Sequence, residues 1–135
     1  MIYAIIDTNV FVSAMLSKLP DSATVKVVQA FKLREIKLLY NQEILDEYKD
    51  VLSRPRLKLP QDDIDGILSF IVSEGMPMHR TNSYEIFPDP DDAVFYEVAL
   101  SKEDAYVVTG NTKHSPKTPI VVTPAQMLEI LYAQG

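Results

Sequence analysis

The sequence predicts an α/β fold of three layers, α/β/α, around a central, mostly parallel sheet of four to five strands. Three observations carry that expectation. Apolar runs of strand length alternate with longer segments of helical spacing, which implies βαβ units, right-handed crossovers and a sheet covered on both faces. The first of these runs, Ile2 to Ile6, is short and is ended by the acid Asp7, which suits a strand buried on both faces. The 135 residues, 47% hydrophobic and 24% charged, have the balance of one ordinary globular domain spanning 1–135.

In chain order, Ile2 to Ile6 is an apolar run closed by Asp7, as expected of a strand buried on both faces. A helix through Asn9 to Ser17 follows, broken at Pro20-Asp21-Ser22. Val25, Val28, Phe31 and Lys32, leading to Leu33, carry helical spacing, and Lys37 to Tyr40 reads as a second strand. Asn41 is a good N-cap for a helix through Ser53 that stops before Pro55. Pro60-Gln61-Asp62-Asp63 opens the next helix with acids in its first turn, its inward stripe being Ile64, Ile67, Leu68, Ile71 and Val72. Gly75 ends it. A short strand is expected over Met76 to Arg80, then a polar loop from Thr81 to Pro90. Asp91 to Lys102 reads as a helix, with strands over Ala105 to Thr109 and Ile120 to Thr123. Thr123-Pro124 starts the last helix, with Met127, Leu128, Leu131 and Tyr132 as its stripe.

There is no cysteine, which removes disulfides, thiolate zinc sites and cysteine nucleophiles and suits a reducing cytoplasm. The first apolar run is too short for a signal or a membrane span and has no basic flank, so a cytoplasmic protein with no membrane partner is expected. The net charge of −6 and pI near 4.8 argue against a general nucleic-acid binder, because phosphate affinity comes mainly from Lys and Arg. Clustered carboxylates that hold cations reconcile an acidic chain with a phosphate substrate.

In parallel sheets, ligands sit beyond the carboxyl ends of the strands. Asp7 falls there, in Asp7-Thr8-Asn9, although a plain N-cap accounts for it equally. Glu47 lies three residues after Ile44 and four before Val51, at the border of an inward stripe that also holds Tyr48 and Leu52. A carboxylate there costs desolvation unless it is paired with an arginine or a metal. Asp92 begins the stripe of Phe95, Tyr96, Ala99 and Leu100, whereas Asp89 and Asp91 read as a cap and a partner of the helix dipole. Asn111, after Thr109-Gly110, offers a carbonyl oxygen to a hard cation, or is simply a turn residue. Three carboxylates and an amide without a His or Cys cluster suit Mg²⁺ or Mn²⁺ rather than zinc. Such a site activates water and stabilises charge developing on a phosphodiester.

On these segments the sequence resembles PIN-domain proteins, specifically the compact toxin components of toxin–antitoxin pairs akin to VapC-type ribonucleases. The segments are Asp7-Thr8-Asn9-Val10-Phe11-Val12-Ser13-Ala14, Glu43-Ile44-Leu45-Asp46-Glu47-Tyr48 with Val51-Leu52 and Arg54-Pro55, Asp89-Pro90-Asp91-Asp92-Ala93-Val94-Phe95, and Val107-Val108-Thr109-Gly110-Asn111. The resemblance implies a PIN-like fold, metal-dependent cleavage of RNA, catalytic acids at Asp7, Glu47 and Asp92, a homodimer and a cognate antitoxin. It departs from many members at Asn111, where they place a fourth Asp; His114 lies close behind.

Supporting roles are expected for Thr8, Asn9, Ser13, Asp91 and Thr109; of these, Thr8, Asn9 and Ser13 are placed to order the Asp7 carboxylate or a metal-bound water, with service to the helix start the other reading of Asn9. Arg54, Arg56 and Lys58 form the densest basic run, and Lys113, His114 and Lys117 a second patch; both are candidate RNA contacts or merely solvated loops. His79 reads as structural or exposed. Two rivals stand beside the ribonuclease. One is a phosphatase with Asp7 as nucleophile, which usually wants an Asp where Asn9 stands. The other is a PIN-fold binding module weakened by Asn111.

Overall fold

The computed structural model describes residues 1–112 and 118–134. Over them run β1 (Ile2–Ile6), α1 (Thr8–Leu16), α2 (Ala23–Lys32), β2 (Ile36–Tyr40), α3 (Gln42–Leu52), a 3₁₀ turn (Pro55–Leu57), α4 (Gln61–Glu74), β3 (Met76–Pro77), α5 (Pro90–Ala99), β4 (Tyr106–Val108), β5 (Val121–Val122) and α6 (Pro124–Gln134). The five strands form one sheet in the order β3-β2-β1-β4-β5, every pair parallel. The α/β fold with a parallel five-stranded sheet and six helices is the one the sequence implies.

β1 is the centre of the sheet because both its neighbours are apolar strands in register with it: Ala4 stands opposite Leu38 of β2 and Tyr106 of β4. Its Ala4, Ile5 and Ile6 are fully buried, as a strand covered on both faces must be. From β1 the chain steps outward to β2 and β3, then returns across the sheet to β4 and β5. The strand order therefore reverses between β1 and β4, and a crevice opens at their carboxyl ends. Because the crossover through α5 runs opposite to the first two, right-handedness places α5 on the other face. There it packs on β1, β2 and β4, while α2 packs against α6 and meets α4 through an edge-to-face Phe31–Phe70 pair at 5.0 Å.

Helix starts follow local chemistry. The side chains of Asp7, Ser22, Asn41 and Asp89 accept from the amides of Asn9, Val25, Ile44 and Asp91, and Gly75 closes α4. Five expectations change. The strand over Met76 to Arg80 shrinks to Met76–Pro77: Met78 still donates to the Tyr40 carbonyl at 2.8 Å, but Arg80 is drawn away by two carboxylates. Val72 is 54% exposed, because Ile71 takes the inward position in the last turn of α4 and Val72 is 100° further round. Tyr132 is 67% exposed, and on α6 it is Met127 and Leu128 that are buried. The helix read over Asp91 to Lys102 runs Pro90–Ala99, and the strand over Ile120 to Thr123 narrows to Val121–Val122. Among the described residues no helix is long and apolar enough to cross a membrane.

Candidate functional site

A cleft of about 410 Å³ opens at the end of β1. Asp7, Thr8, Asn9 and Val12 line it from β1 and α1, Glu47 and Val51 from α3, Arg54, Arg56 and Leu57 from the following turn, and Asp89, Asp91, Asp92 and Phe95 from α5. Asp7, Glu47 and Asp92, which sequence reasoning paired across 85 positions (7 to 92), thus face one space.

Asp7 is fixed from several sides. Its amide donates to the Val108 carbonyl of β4 at 2.9 Å, its Oδ1 accepts from the Asn9 amide at 3.3 Å, and its Oδ2 accepts from Thr109 Oγ1 at 2.8 Å. Capping and site geometry therefore coexist in one residue. Thr109 is buried and also accepts from the Asn111 amide through Oγ1 at 3.1 Å, tying the end of β4 to Asp7. Beneath, Tyr48 of α3 is fully buried and donates to the carbonyl of Ile6, the residue before Asp7. Burial first, and the Asp7 charge second, push the Tyr48 hydroxyl well above its usual range.

Glu47 is half-buried, and its carboxyl is held above the ordinary value. Burial is the main cause; Asp91, Asp50 and Asp89 add to it, and Arg54 partly offsets it. The cleft is thus a place where negative charge is under-compensated by the protein. Thr8 Oγ1 is buried at the same wall and has no hydrogen-bond partner among the described residues. Among the described residues no three carboxylate or imidazole groups stand close enough to grip one bare ion. The donor set fits a hydrated hard cation instead, held by one or two carboxylates and its own waters, which is how Mg²⁺ is usually bound.

The other expected residues divide. Asn9, Asp91, Arg54 and Arg56 reach the cleft, with Arg54 also 3.4 Å from Asp50. Ser13 does not: it is exposed on α1 and shares a hydrogen bond with Thr24 at 3.2 Å. Lys58 is off the lining, with a left-handed φ of 53° that closes the 3₁₀ turn. Asn111 is exposed and outside the lining, joined to the site through Thr109. His79 is exposed, and Lys113, His114 and Lys117 lie outside the described residues.

Sequence reasoning missed Glu97. It is 7% exposed on α5, and its carboxylate accepts from Arg80 Nε at 2.7 Å and from the amide and hydroxyl of Ser83 at 2.7 and 2.9 Å. Burial raises its pKa, but these donors more than offset that and hold it below the usual range. The signal was present: Glu97 is the single charge inside the apolar run Ala93 to Leu100.

The profile of the PIN domain family matches residues 3–113, which takes in Asp7, Glu47, Asp92 and Asn111. The chain belongs to the PIN domain family. PIN domains are generally nucleases, and the acidic cleft lies within the matched segment. No curated protein sequence matches the chain.

Proposed function

We propose that this PIN domain is a metal-dependent endoribonuclease that hydrolyses RNA in the cleft at the end of β1. The observation that supports it best is the convergence of Asp7, Glu47 and Asp92, from three separated elements, on one polar space. Mg²⁺ or Mn²⁺, when bound, supplies positive charge beside the phosphate and lowers the pKa of water. Asp7, Glu47 and Asp92 would hold it, one or two of them directly and the rest through its waters. Thr109 orients Asp7 by donating to Oδ2 and leaves Oδ1 toward the helix start. Asn111 assists from behind through Thr109. Arg54 and Arg56, which line the same cleft, contact RNA phosphates and explain how a chain of net charge −6 holds a polyanion.

The decisive variant is Asp7→Asn, which keeps the shape of the cap. Expected is loss of cleavage with an unchanged circular dichroism spectrum; cleavage at the wild-type rate would remove Asp7 from the mechanism. The weakened binding module is the second reading, favoured by Asn111 standing outside the lining without charge. RNA binding without cleavage, with cleavage gained by Asn111→Asp, would select it.

The finer role, the toxin of a toxin–antitoxin pair working as a cytoplasmic homodimer, rests on the resemblance of the motifs to VapC-type toxins. Induced expression in a bacterial host is expected to arrest growth for the wild type and not for Asp7→Asn. Growth unaffected by an enzyme active in vitro would separate the nuclease from the toxin.

A further inference from the structure

We infer that Glu97 is a positioning residue for the acidic cleft, acting through the segment 80–89 that delivers Asp89, Asp91 and Asp92. The inference rests on the nuclease reading of that cleft. Glu97 does not line the cleft; it borders a separate cavity of about 550 Å³ with Arg80, Asn82, Glu85, Phe87, Pro90 and Ala93. Pro90 and Ala93 lie on this cavity while Asp91, Asp92 and Phe95 lie on the cleft, so the first turn of α5 is the wall between them.

The segment before that wall forms no helix or strand, and Glu97 supplies its anchors. The Glu97 carbonyl accepts from the Thr81 amide at 3.0 Å, and its carboxylate takes Arg80 Nε and both donors of Ser83. Arg80 extends the chain, since its Nη1 meets Glu43 Oε2 on α3 at 2.8 Å. Glu43 stands one turn before Glu47. The linkage Glu43–Arg80–Glu97 therefore ties α3 to α5, the helices that carry Glu47 and Asp92. A planar guanidinium with two donor edges can hold both carboxylates at fixed separation, which an ammonium cannot. A buried carboxylate with three donors is also an expensive way to fill a helix face that five apolar neighbours otherwise bury. It is accounted for by what it holds.

Glu97→Gln tests this in the full chain. Gln can still accept from Arg80, but its amide group then confronts the Ser83 N–H with a second donor. The expected result is a folded protein in which the amides of Asp91 and Asp92 exchange with deuterium roughly tenfold faster. RNA cleavage is expected to lose roughly tenfold in kcat with KM nearly unchanged, the pattern of misplaced groups rather than lost binding. Faster exchange confined to residues 81–85, with kcat at the wild-type value, would overturn the inference and leave Glu97 a loop anchor only. If Glu97→Gln does not fold, Arg80→Lys is read by the same two measurements, because it keeps the charge and loses the fork. Should the wild type cleave no RNA, the nuclease reading fails by itself, and exchange at Asp91 and Asp92 still decides whether Glu97 orders them.

Discussion

Replacing Tyr48 by Phe isolates one hydrogen bond beneath the cleft. The ring is fully buried, edge-on to Phe11 at 5.0 Å and tilted against Phe95 at 6.1 Å, and Phe retains both contacts. What is lost is the hydroxyl bond to the Ile6 carbonyl. A buried hydrogen bond contributes about 1 kcal/mol net, and an acceptor left unsatisfied costs about 1–3 kcal/mol, so the variant should lose roughly 1–3 kcal/mol. Removing the ring as well, in Tyr48→Ala, should cost about 3–5 kcal/mol by analogy with other large aromatic truncations. Urea unfolding followed by circular dichroism reads the difference: the midpoint of Tyr48→Phe should fall with no change in slope. Because Ile6 precedes Asp7, kcat should also drop a few-fold, with the fold intact. A midpoint equal to the wild type would refute the reasoning, since the bond would then contribute nothing.

Three other outcomes are expected. Glu47→Gln should stabilise the metal-free protein above pH 4.5: a carboxyl whose folded pKa is raised binds more protons folded than unfolded, so stability falls as pH rises through that range, and Gln removes the loss. The gain should be present at neutral pH and disappear below pH 4.5, and thermal melts across pH 4–8 would show it. Gly75→Ala should destabilise by about 1–3 kcal/mol in chemical unfolding, because a Cβ there would lie 2.5 Å from the Ile71 carbonyl oxygen and 3.0 Å from that of Leu38, neither of which can yield cheaply. Arg56→Ala should weaken RNA binding and reduce the slope of log K against log salt by about 0.7, one phosphate contact on a single strand, as titrations at several salt concentrations would reveal.

Much of the architecture was legible because it rests on local signals. The β1 limits, Ile2 and Ile6, follow from an apolar run closed by an acid, and Asn41 caps α3 as its residue type suggests. Glu47 was recognisable as an acid bordering the stripe of Ile44, Tyr48 and Val51, and the cleft lies where a parallel sheet reverses its strand order. Other features depend on pairings with no periodic signature. Arg80 meets Glu43 and Glu97 at separations of 37 and 17 residues, so the shortening of β3 could not be read from Met76 to Arg80 alone. The same holds for Tyr48 and Ile6, 42 residues apart. Asn111 was legible as a residue beyond the end of a strand, but its link to Asp7 through Thr109, whose hydroxyl takes the Asn111 amide and donates to the Asp7 carboxylate, had no sequence signature.

The central claim, that the acids of this cleft cut RNA with the help of a divalent cation, is tested most directly by one comparison. A mixed pool of structured and unstructured RNA is incubated with wild type and with Asp92→Asn, each with Mg²⁺, with Mn²⁺ and with chelator. The account predicts cleavage by the wild type only when metal is present and none by Asp92→Asn. Cleavage that survives either the chelator or the substitution would contradict it.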